Sequence, residues 1–342
     1  MKKTIIICVL ALMVVAASIV GYLGYRAVMA PVVQGEQTVY IQVYPGYDAQ
    51  RVEEVLTSSV ELKSTVAFAP LMKHYEYDTR VKPGNYAIRP GDSMRDICLR
   101  LLSGNQTPVK LVVPSVRTLD RLAGAVGKQL MVDSAMVMRT LTDARLIDSL
   151  GYTKETLPCM FIPNTYEVYW TMSPEQFMDR MLKENKRFWN AARVDKAKAQ
   201  GLTPNEVVTL ASIVNEETNK VDEMPMVAGL YLNRLKRGML LQADPTVKFA
   251  LGQFELRRIL YAHLEYDSPY NTYKYAGLPP GPIRIPSVDA IESVLNPSKH
   301  SHIYMCAKED FSGYHNFATT LSQHNANARR YQQALNSRGI KK

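Results

Sequence analysis

The sequence contains few cysteines and lacks the short motifs that mark metal sites and serine hydrolases. Of its four cysteines, Cys8 lies in an apolar N-terminal run, which leaves Cys98, Cys159 and Cys306 without a CxxC pair. We expect these three to pack mainly as small apolar side chains. The six histidines show no HExxH or comparable spacing, and no GxSxG sequence occurs. The sequence therefore predicts no metal, no cofactor and no serine nucleophile.

Acidic residues are in the minority, since 32 of them face 41 lysines and arginines. Without Lys2, Lys3 and Arg26, which flank the apolar run, 38 basic residues remain and the net charge is +6. Such an excess suits an anionic surface or polymer. Because no recognised nucleic-acid-binding motif is present, we predict no nucleic-acid partner.

The N-terminal run has no charge at all between residues 4 and 25. At about 1.5 Å of helix rise per residue it is long enough to cross a hydrocarbon core of about 30 Å. Lys2 and Lys3 precede it and Arg26 follows, so the positive-inside rule places residues 1–3 in the cytoplasm. We predict a single-pass anchor in the cytoplasmic (inner) membrane, with the rest of the chain extracytoplasmic or periplasmic.

The alternative for this run is a cleaved secretory signal peptide, with Val28-Met29-Ala30 as a permissible cleavage site. The run is longer than the core of a usual signal peptide, which favours the uncleaved anchor. Both hypotheses place the rest of the chain beyond the cytoplasmic membrane.

A strand-turn-helix pattern recurs after a short linker at 26–37. TVYIQVYPGYDAQRVEEVL and GNYAIRPGDSMRDICLRLLSG each change from strand-like alternation to helical spacing at a Pro-Gly turn. KLVVPSVRTLDRLAGAV is a looser third copy that turns at Pro114-Ser115. The pattern predicts three short strands, each followed by a helix.

The second copy resembles a LysM module through Tyr86, Ile88, the GDSM sequence at 91–94 and Ile97-Cys98. LysM modules bind glycans that contain N-acetylglucosamine, so the resemblance implies contact with a cell wall. A strand-turn-helix with this turn is also ordinary scaffolding, and both interpretations stay open for residues 38–110.

The remainder of the chain reads as mostly helical. Between 114 and 200 the helical spacing is interrupted by PCMFIPNTYEVYW at 158–170, which predicts a loop followed by a short strand. Beyond 203 the spacing predicts helices at 203–221, 224–237 and near 287–295, a Gly/Pro-rich stretch at 277–286, a strand near 302–307 and a final helix from about 320.

The helix that starts after Thr203 ends in two adjacent acids. Thr203 and Glu206 form a capping-box sequence around Pro204, which marks the start of the helix. At 100° per residue the apolar stripe runs along one face, and Glu216 falls on the opposite face, where we expect it to be solvated. Glu217 falls at the edge of the stripe, where partial burial would raise its carboxyl pKa and suit it as a general acid. The alternative makes Glu217 one half of a buried ion pair with Arg234.

Four separated segments resemble one family of enzymes. They are ASIVNEET at 211–218, GLYLNRLKRGMLLQADPTVKFALG at 229–252, SPYNTYKYAGLPPGPIRIPS at 268–287 and HNFATTLSQHN at 315–325. Together they closely resemble the endolytic murein transglycosylases of the YceG-like family. The resemblance implies that the chain cleaves peptidoglycan glycan strands internally, with the glutamate directly before Thr218, which is Glu217, as the catalytic residue. Two positions depart from the family pattern, Asn215 and Asn164, and each replaces a carboxylate with an amide.

The implied reaction needs one acid/base group. Glu217 would protonate the oxygen between N-acetylmuramic acid and N-acetylglucosamine and then accept the proton of the muramoyl C6 hydroxyl, which closes a 1,6-anhydro ring without water. A hydrolytic glycosidase would need a second carboxylate, and Asp244 is the best candidate, although capping a turn before Pro245 is an equally good explanation of that residue.

Polar and aromatic residues of the same segments suit a sugar site, since amides and hydroxyls bind sugar hydroxyls and aromatic rings stack on pyranose faces. Arg234 would tune or anchor Glu217, and Tyr273 is a further ring. The predicted substrate-binding residues are Tyr166, Asn233, Arg234, Gln242, Asp244, Tyr270, Asn271 and Thr272.

The sequence thus predicts an α+β protein with four parts beyond residues 1–3. These are a transmembrane anchor at 4–25, a linker at 26–37, a LysM-like module at 38–110 and a YceG-like, mixed α/β catalytic domain at 111–342. Its expected partners are peptidoglycan strands and the membrane, with peptidoglycan synthases as candidates, and its expected role is to terminate glycan polymerisation near the membrane. The alternatives are a non-catalytic glycan-binding scaffold of the wall-synthesis machinery and a hydrolytic muramidase.

Overall fold

The computed structural model describes residues 2–256 and 258–339. Two compact units divide the chain, the first formed by residues 1–111 and 167–172 and the second by 112–166 and 173–342. The predicted domain boundary near 110 stays a prediction.

Helices and short strands alternate along the described residues. The helices are α1 (Lys2–Met29), α2 (Ala49–Ser59), α3 (Phe68–His74), α4 (Met94–Ser103), α5 (Leu119–Gly127), α6 (Ser134–Leu141), α7 (Ala144–Ser149), α8 (Pro174–Phe188), α9 (Ala191–Ala199), α10 (Pro204–Glu217), α11 (Met224–Lys236), α12 (Asp244–Leu251), α13 (Tyr261–Leu264), α14 (Val288–Leu295) and α15 (Leu321–Ser337). The strands are β1 (Val39–Val43), β2 (Gly84–Ile88), β3 (Val109–Val113), β4 (Asn164–Val168), β5 (Tyr304–Ala307) and β6 (His315–Ala318). The mixed helix and strand content confirms the predicted α+β class.

Helix α1 is long and apolar enough to cross a membrane, with a mean hydropathy of 2.8 over its most apolar window and no buried residue there. A signal sequence near an N-terminus passes the same test of length and composition. The structure therefore agrees with the predicted apolar helix, and it leaves both the anchor and the cleaved signal open.

The first unit is built on the antiparallel pair β1 and β2, which runs in register from Val39 opposite Ile88 to Val43 opposite Gly84. Helices α2 and α4 begin at side-chain caps, because Asp48 accepts from the Arg51 amide and Ser93 forms a capping box with Asp96. Whether the first unit is a LysM module stays a prediction.

Helix α5 likewise follows β3, so all three predicted strand-turn-helix segments are present.

Helix α10 lies at the centre of the second unit. Every residue from 207 to 215 is buried, and α10 packs against α11 and α14. Residues 207–215 therefore have no solvent-exposed face, although their most apolar side chains lie along one stripe of the helix. The capping box of Thr203 and Glu206 is formed as predicted, but the helix ends at Glu217 rather than at 221 because Thr218 is extended, with φ −143° and ψ 141°.

The predicted solvent exposure of Glu216 is wrong. Its side chain is only 10% exposed, and its carboxylate accepts two hydrogen bonds of 2.8 Å from Arg117 and one of 3.0 Å from Arg284. The helical wheel correctly separates Glu216 from the apolar stripe, but it takes no account of other chain segments. The two arginines cover this side of α10 and satisfy the charge there.

The remaining boundaries agree closely with the sequence. Helices α11 and α14, strand β5 and helix α15 fall where the spacing predicts them, and β4 provides the short strand inside 158–170. Cys98 and Cys159 are buried as expected, whereas Cys306 is partly exposed.

Candidate active site

Glu217 is the last residue of α10 and meets Tyr231 on α11. The Tyr231 hydroxyl donates to Glu217 Oε1 at 2.6 Å, and Tyr231 itself is 2% exposed. Glu217 is partly buried, as the sequence predicts. Its other oxygen, Oε2, has no hydrogen-bond partner among the described residues, which leaves it available to a ligand.

Burial raises the pKa of Glu217 to about 7. Desolvation is the largest cause, because removal from water penalises the charged carboxylate. The hydrogen bond from Tyr231 opposes it by favouring the charged form, the negative charge of Asp244 raises the pKa further, and the charge that His315 carries when its imidazole is protonated lowers it. A carboxyl group with this pKa is about half protonated at neutral pH, so it can serve both as a proton donor and as a proton acceptor.

Glu217 lies in the wall of a cavity of about 440 Å³ within the second unit. Strand β5 contributes to the wall, with Tyr304, Met305, Cys306 and Ala307 all in contact with the cavity. The other polar side chains that line it come from α11, α12, β6, α15 and the connecting segments: Tyr231, Arg234, Gln242, Asp244, Tyr273, His315 and His324. Five residues singled out in the sequence therefore line one cavity, namely Glu217, Arg234, Gln242, Asp244 and Tyr273.

Asp244, the first residue of α12, and Gln242, two residues earlier, both line the cavity. The hydroxyl of Tyr273 donates to Asp244 Oδ1 at 2.5 Å, which holds this carboxylate in place. Gln242 has a φ of 51°, in the left-handed region that a non-glycine residue seldom adopts. The surrounding structure maintains this conformation, because the Gln242 amide donates to the Thr272 carbonyl at 3.0 Å.

Arg234 binds backbone carbonyls rather than Glu217. Its guanidinium donates to the carbonyl oxygens of Ile303 at 2.7 Å, Leu241 at 2.7 Å and Leu240 at 3.1 Å, and to Gln242 Oε1 at 3.3 Å. Among the described residues no ion pair joins it to an acid. The structure therefore does not contain the alternative, a buried Glu217–Arg234 pair. Arg234 instead connects α11 to Ile303, directly before β5, and to the segment at 240–242.

His315 is fixed by a buried acid. The Glu223 carboxylate, 4% exposed, accepts the His315 backbone amide at 2.6 Å and pairs with the imidazole Nδ1 at 3.0 Å. This contact joins the start of α11 to the first residue of β6. The imidazole therefore lines the cavity in a fixed orientation.

Three predicted substrate-binding residues use their polar atoms on the protein itself. Asn233 donates to the carbonyls of residues 300 and 302, and Asn271, fully buried, donates to those of residues 264 and 266. The Thr272 hydroxyl accepts from the Ala243 amide at 3.0 Å and shares a hydrogen bond with Thr246. None of the three lines the cavity of Glu217, and their contact with substrate stays a prediction.

Two of the three aromatic residues that the sequence suggests for a sugar site also lie elsewhere. Tyr166 is 6% exposed and donates to the Ile162 carbonyl at 2.6 Å. Tyr270 packs on Phe249 with ring centroids 4.8 Å apart and lines a different cavity of about 450 Å³. Tyr273, by contrast, does line the cavity of Glu217.

Sequence reasoning missed Tyr231, Glu223, Tyr304 and the two histidines of the cavity. Tyr231 and His315 stand inside the family-like segments quoted above, which is the signal that could have found them. No group of three or more His, Cys, Asp or Glu side chains within residues 2–256 and 258–339 is placed to hold a metal ion.

A model of the YceG-like family matches residues 41–330, which is most of the chain. The chain belongs to the YceG-like family. A solved YceG-like structure has the same fold: the putative yceG-like protein of Listeria monocytogenes superposes with a TM-score of 0.57 at 31% identity, over 84% of this chain and 98% of that one.

Curated relatives of this YceG-like chain carry the name endolytic murein transglycosylase. One, from Bacillus subtilis (strain 168), is 29% identical over 335 residues, which cover 93% of this chain and 92% of the relative. Another, from Streptococcus pneumoniae serotype 2 (strain D39), is 29% identical over 329 residues, 84% of this chain and 58% of the relative. The family predicted from the sequence is confirmed, and the name of these relatives denotes the predicted enzyme class, the lytic transglycosylases.

Proposed function

We propose that this protein is an endolytic murein transglycosylase in which Glu217 is the general acid and base. The observation that carries the proposal is the desolvated carboxyl of Glu217, with a pKa of about 7, in the wall of a cavity of about 440 Å³. The names of the curated relatives support the same activity.

In the proposed reaction the chain cuts peptidoglycan strands between N-acetylmuramic acid and N-acetylglucosamine. Glu217 gives its proton to the bridging oxygen, so the leaving sugar departs as a neutral alcohol. The muramoyl C6 oxygen then bonds to C1 and its proton passes to the Glu217 carboxylate, which forms a 1,6-anhydromuramoyl end without consuming water and restores protonated Glu217. The Tyr231 hydroxyl, which donates to Glu217 Oε1, stabilises the carboxylate that forms after proton donation.

Substrate binding in this proposal uses the other polar groups of the cavity. The exposed side chains of Gln242 and Asp244 offer amide and carboxylate oxygens to sugar hydroxyls, and Asp244 places a negative charge close enough to influence Glu217. A carboxylate there would also stabilise positive charge that develops at C1. Arg234 acts in this proposal by holding the Gln242 turn.

The same proposal places the enzyme at the cytoplasmic membrane. With α1 as an uncleaved anchor, the chain after α1 would lie on the extracytoplasmic side and reach strands close to the membrane, where cutting ends polymerisation. Peptidoglycan synthases are candidate partners on that basis. Glycan binding by residues 38–110 is a separate hypothesis that rests on the LysM resemblance. Its test is binding to insoluble peptidoglycan after substitution of Tyr86 or Asp92, and the result is independent of the role proposed for Glu217.

The test is mass spectrometry of purified, uncrosslinked glycan strands after incubation with the full chain in detergent micelles. We expect internal cuts with 1,6-anhydro ends, and a loss of about 10²–10⁴-fold in rate for Glu217→Gln. Glu216→Gln is the matched control, because it removes the neighbouring acid, which does not line the cavity. Its rate per folded molecule is expected to stay near that of the wild type.

Two other outcomes would replace the proposal. Reducing ends would mean that water is the nucleophile, and the presence of Asp244 in the same cavity favours this hydrolytic muramidase as the second candidate. Binding of strands without any cleavage, together with a Glu217→Gln variant that retains its cellular function, would indicate a non-catalytic scaffold.

A further inference from the structure

The pairing of His315 with Glu223 is more elaborate than anchoring a strand requires. The backbone amide of His315 and its Nδ1 both bind the Glu223 carboxylate, at 2.6 Å and 3.0 Å. Tyr314, one residue earlier, already anchors the same part of the chain through its hydroxyl, which donates to both carboxylate oxygens of Asp222 at 3.1 Å and 3.0 Å. The second contact therefore fixes the orientation of a ring that lines the cavity of Glu217.

The orientation determines which ring nitrogen is available. With Nδ1–H donated to Glu223, the neutral imidazole carries its lone pair on Nε2. Among the described residues Nε2 has no hydrogen-bond partner, and the ring lies in the cavity wall with Glu217. A carboxylate behind an imidazole holds the tautomer and stabilises the imidazolium that forms when Nε2 takes a proton.

We propose that His315 is a second catalytic residue, the base that accepts the proton of the muramoyl C6 hydroxyl, and that Glu223 is its positioning residue. This inference rests on the proposed transglycosylase function and assigns to a separate group the base role otherwise given to Glu217. The two proton transfers then have separate partners in one cavity.

Glu217 gives a proton to the bridging oxygen as the bond from that oxygen to C1 breaks, and the electron pair leaves with the oxygen. The C6 oxygen forms its bond to C1 and its proton passes to Nε2 of His315. Glu217 is then a carboxylate and His315 an imidazolium, and transfer of that proton from His315 to Glu217, directly or through water in the cavity, restores the starting state.

The principal variant is His315→Gln, measured in the full chain on uncrosslinked glycan strands. We expect kcat to fall by about 10²–10⁴-fold, the usual contribution of a general base, with little change in KM. Tyr314→Phe is the matched control, because it weakens the anchor of the same strand without touching the cavity. Its kcat is expected to stay near that of the wild type, which separates proton transfer from loosening of β6.

Chemical rescue distinguishes a base from a structural residue. In His315→Gly, added imidazole is expected to restore part of the lost rate in proportion to its concentration, and to have no effect on Glu217→Gln. Glu223→Gln provides a second variant should His315→Gln fail to fold, since Gln keeps an acceptor for the backbone amide while removing the charge behind the ring. Its kcat should also fall with KM little changed.

The inference is overturned if folded His315→Gln keeps a kcat close to that of Tyr314→Phe, or if imidazole leaves His315→Gly unchanged. Either result would return both proton transfers to Glu217. Failure of the proposed function is a different observation, because the wild type itself would then produce no anhydro ends.

Discussion

Removal of one hydroxyl, by Tyr231→Phe, tests whether the hydrogen bond to Glu217 sets the pH range of activity. The hydroxyl lies 2.6 Å from Glu217 Oε1, and Tyr231 is 2% exposed, so water cannot readily take its place. A hydrogen bond to a charged group contributes about 1.5–3 kcal/mol. At about 1.4 kcal/mol per pKa unit, its loss should raise the pKa of Glu217 from about 7 by about one to two units.

The direction in which the pH profile should move follows from the role of Glu217 as a general acid. A general acid must be protonated to act, so wild-type activity should fall as the pH rises through about 7. In Tyr231→Phe this alkaline limb should move upward by the same one to two units. The assay is the initial rate of 1,6-anhydro end formation on glycan strands, measured from about pH 5 to pH 9 and fitted for kcat.

Tyr273→Phe is the control for this experiment. Its hydroxyl binds Asp244 rather than Glu217, at 2.5 Å from Oδ1, so its loss should move the alkaline limb far less. An alkaline limb that stays in place, or moves downward, in Tyr231→Phe would refute the reasoning. The group that limits activity at high pH would then be another one.

Two further substitutions should change the stability of the fold, one by raising it and the other by lowering it. Because the folded-state pKa of Glu217 is raised from 4.5 to about 7, its contribution to stability is present below pH 4.5 and is lost as the pH rises through 7. At pH 8 the free energy of unfolding of Glu217→Gln should therefore exceed that of the wild type by up to about 3 kcal/mol, which thermal unfolding would show as a higher melting temperature, and no such gain is expected at pH 4. Arg234→Met removes the donors to three backbone carbonyls and should lower the free energy of unfolding by about 3 kcal/mol or more. Thermal unfolding measures this loss, and a melting temperature equal to that of the wild type would contradict the anchoring role of Arg234.

Helix α10 shows how much of this site is readable from sequence. The capping box fixes its start, and the apolar stripe places Glu217 at the edge of the buried face, which is where the structure has it. The same wheel fails for Glu216, because Arg117 and Arg284 reach it from 99 and 68 residues away in the chain. Local periodicity orients a residue on its own helix, but contacts from distant segments decide its exposure.

The predicted sugar-binding amides show a second limit. Asn271 and Asn233 have the right chemistry for sugars, but irregular segments of the fold also contain carbonyls that need donors, and these two side chains provide them. Sequence cannot distinguish the two uses, because both need the same amide group. The side chain of Gln242, whose backbone amide donates to the Thr272 carbonyl, is bound to the protein only through its contact with Arg234 among the described residues, and it lines the cavity.

The segment between α10 and α11 connects both groups of the proposed mechanism. It runs from Thr218, whose hydroxyl accepts from the Lys220 amide, to Glu223, and so it joins the helix end that carries Glu217 to the acid that orients His315. A shift of this short segment would therefore displace the acid and the orienting carboxylate together. Extended Thr218 is buried, with 4% exposure, which resists such a shift. If both residues act in proton transfer, their relative position is set by one short, well-packed connection, whereas the proposed contacts with the sugar would come from Gln242 and Asp244 at the start of α12.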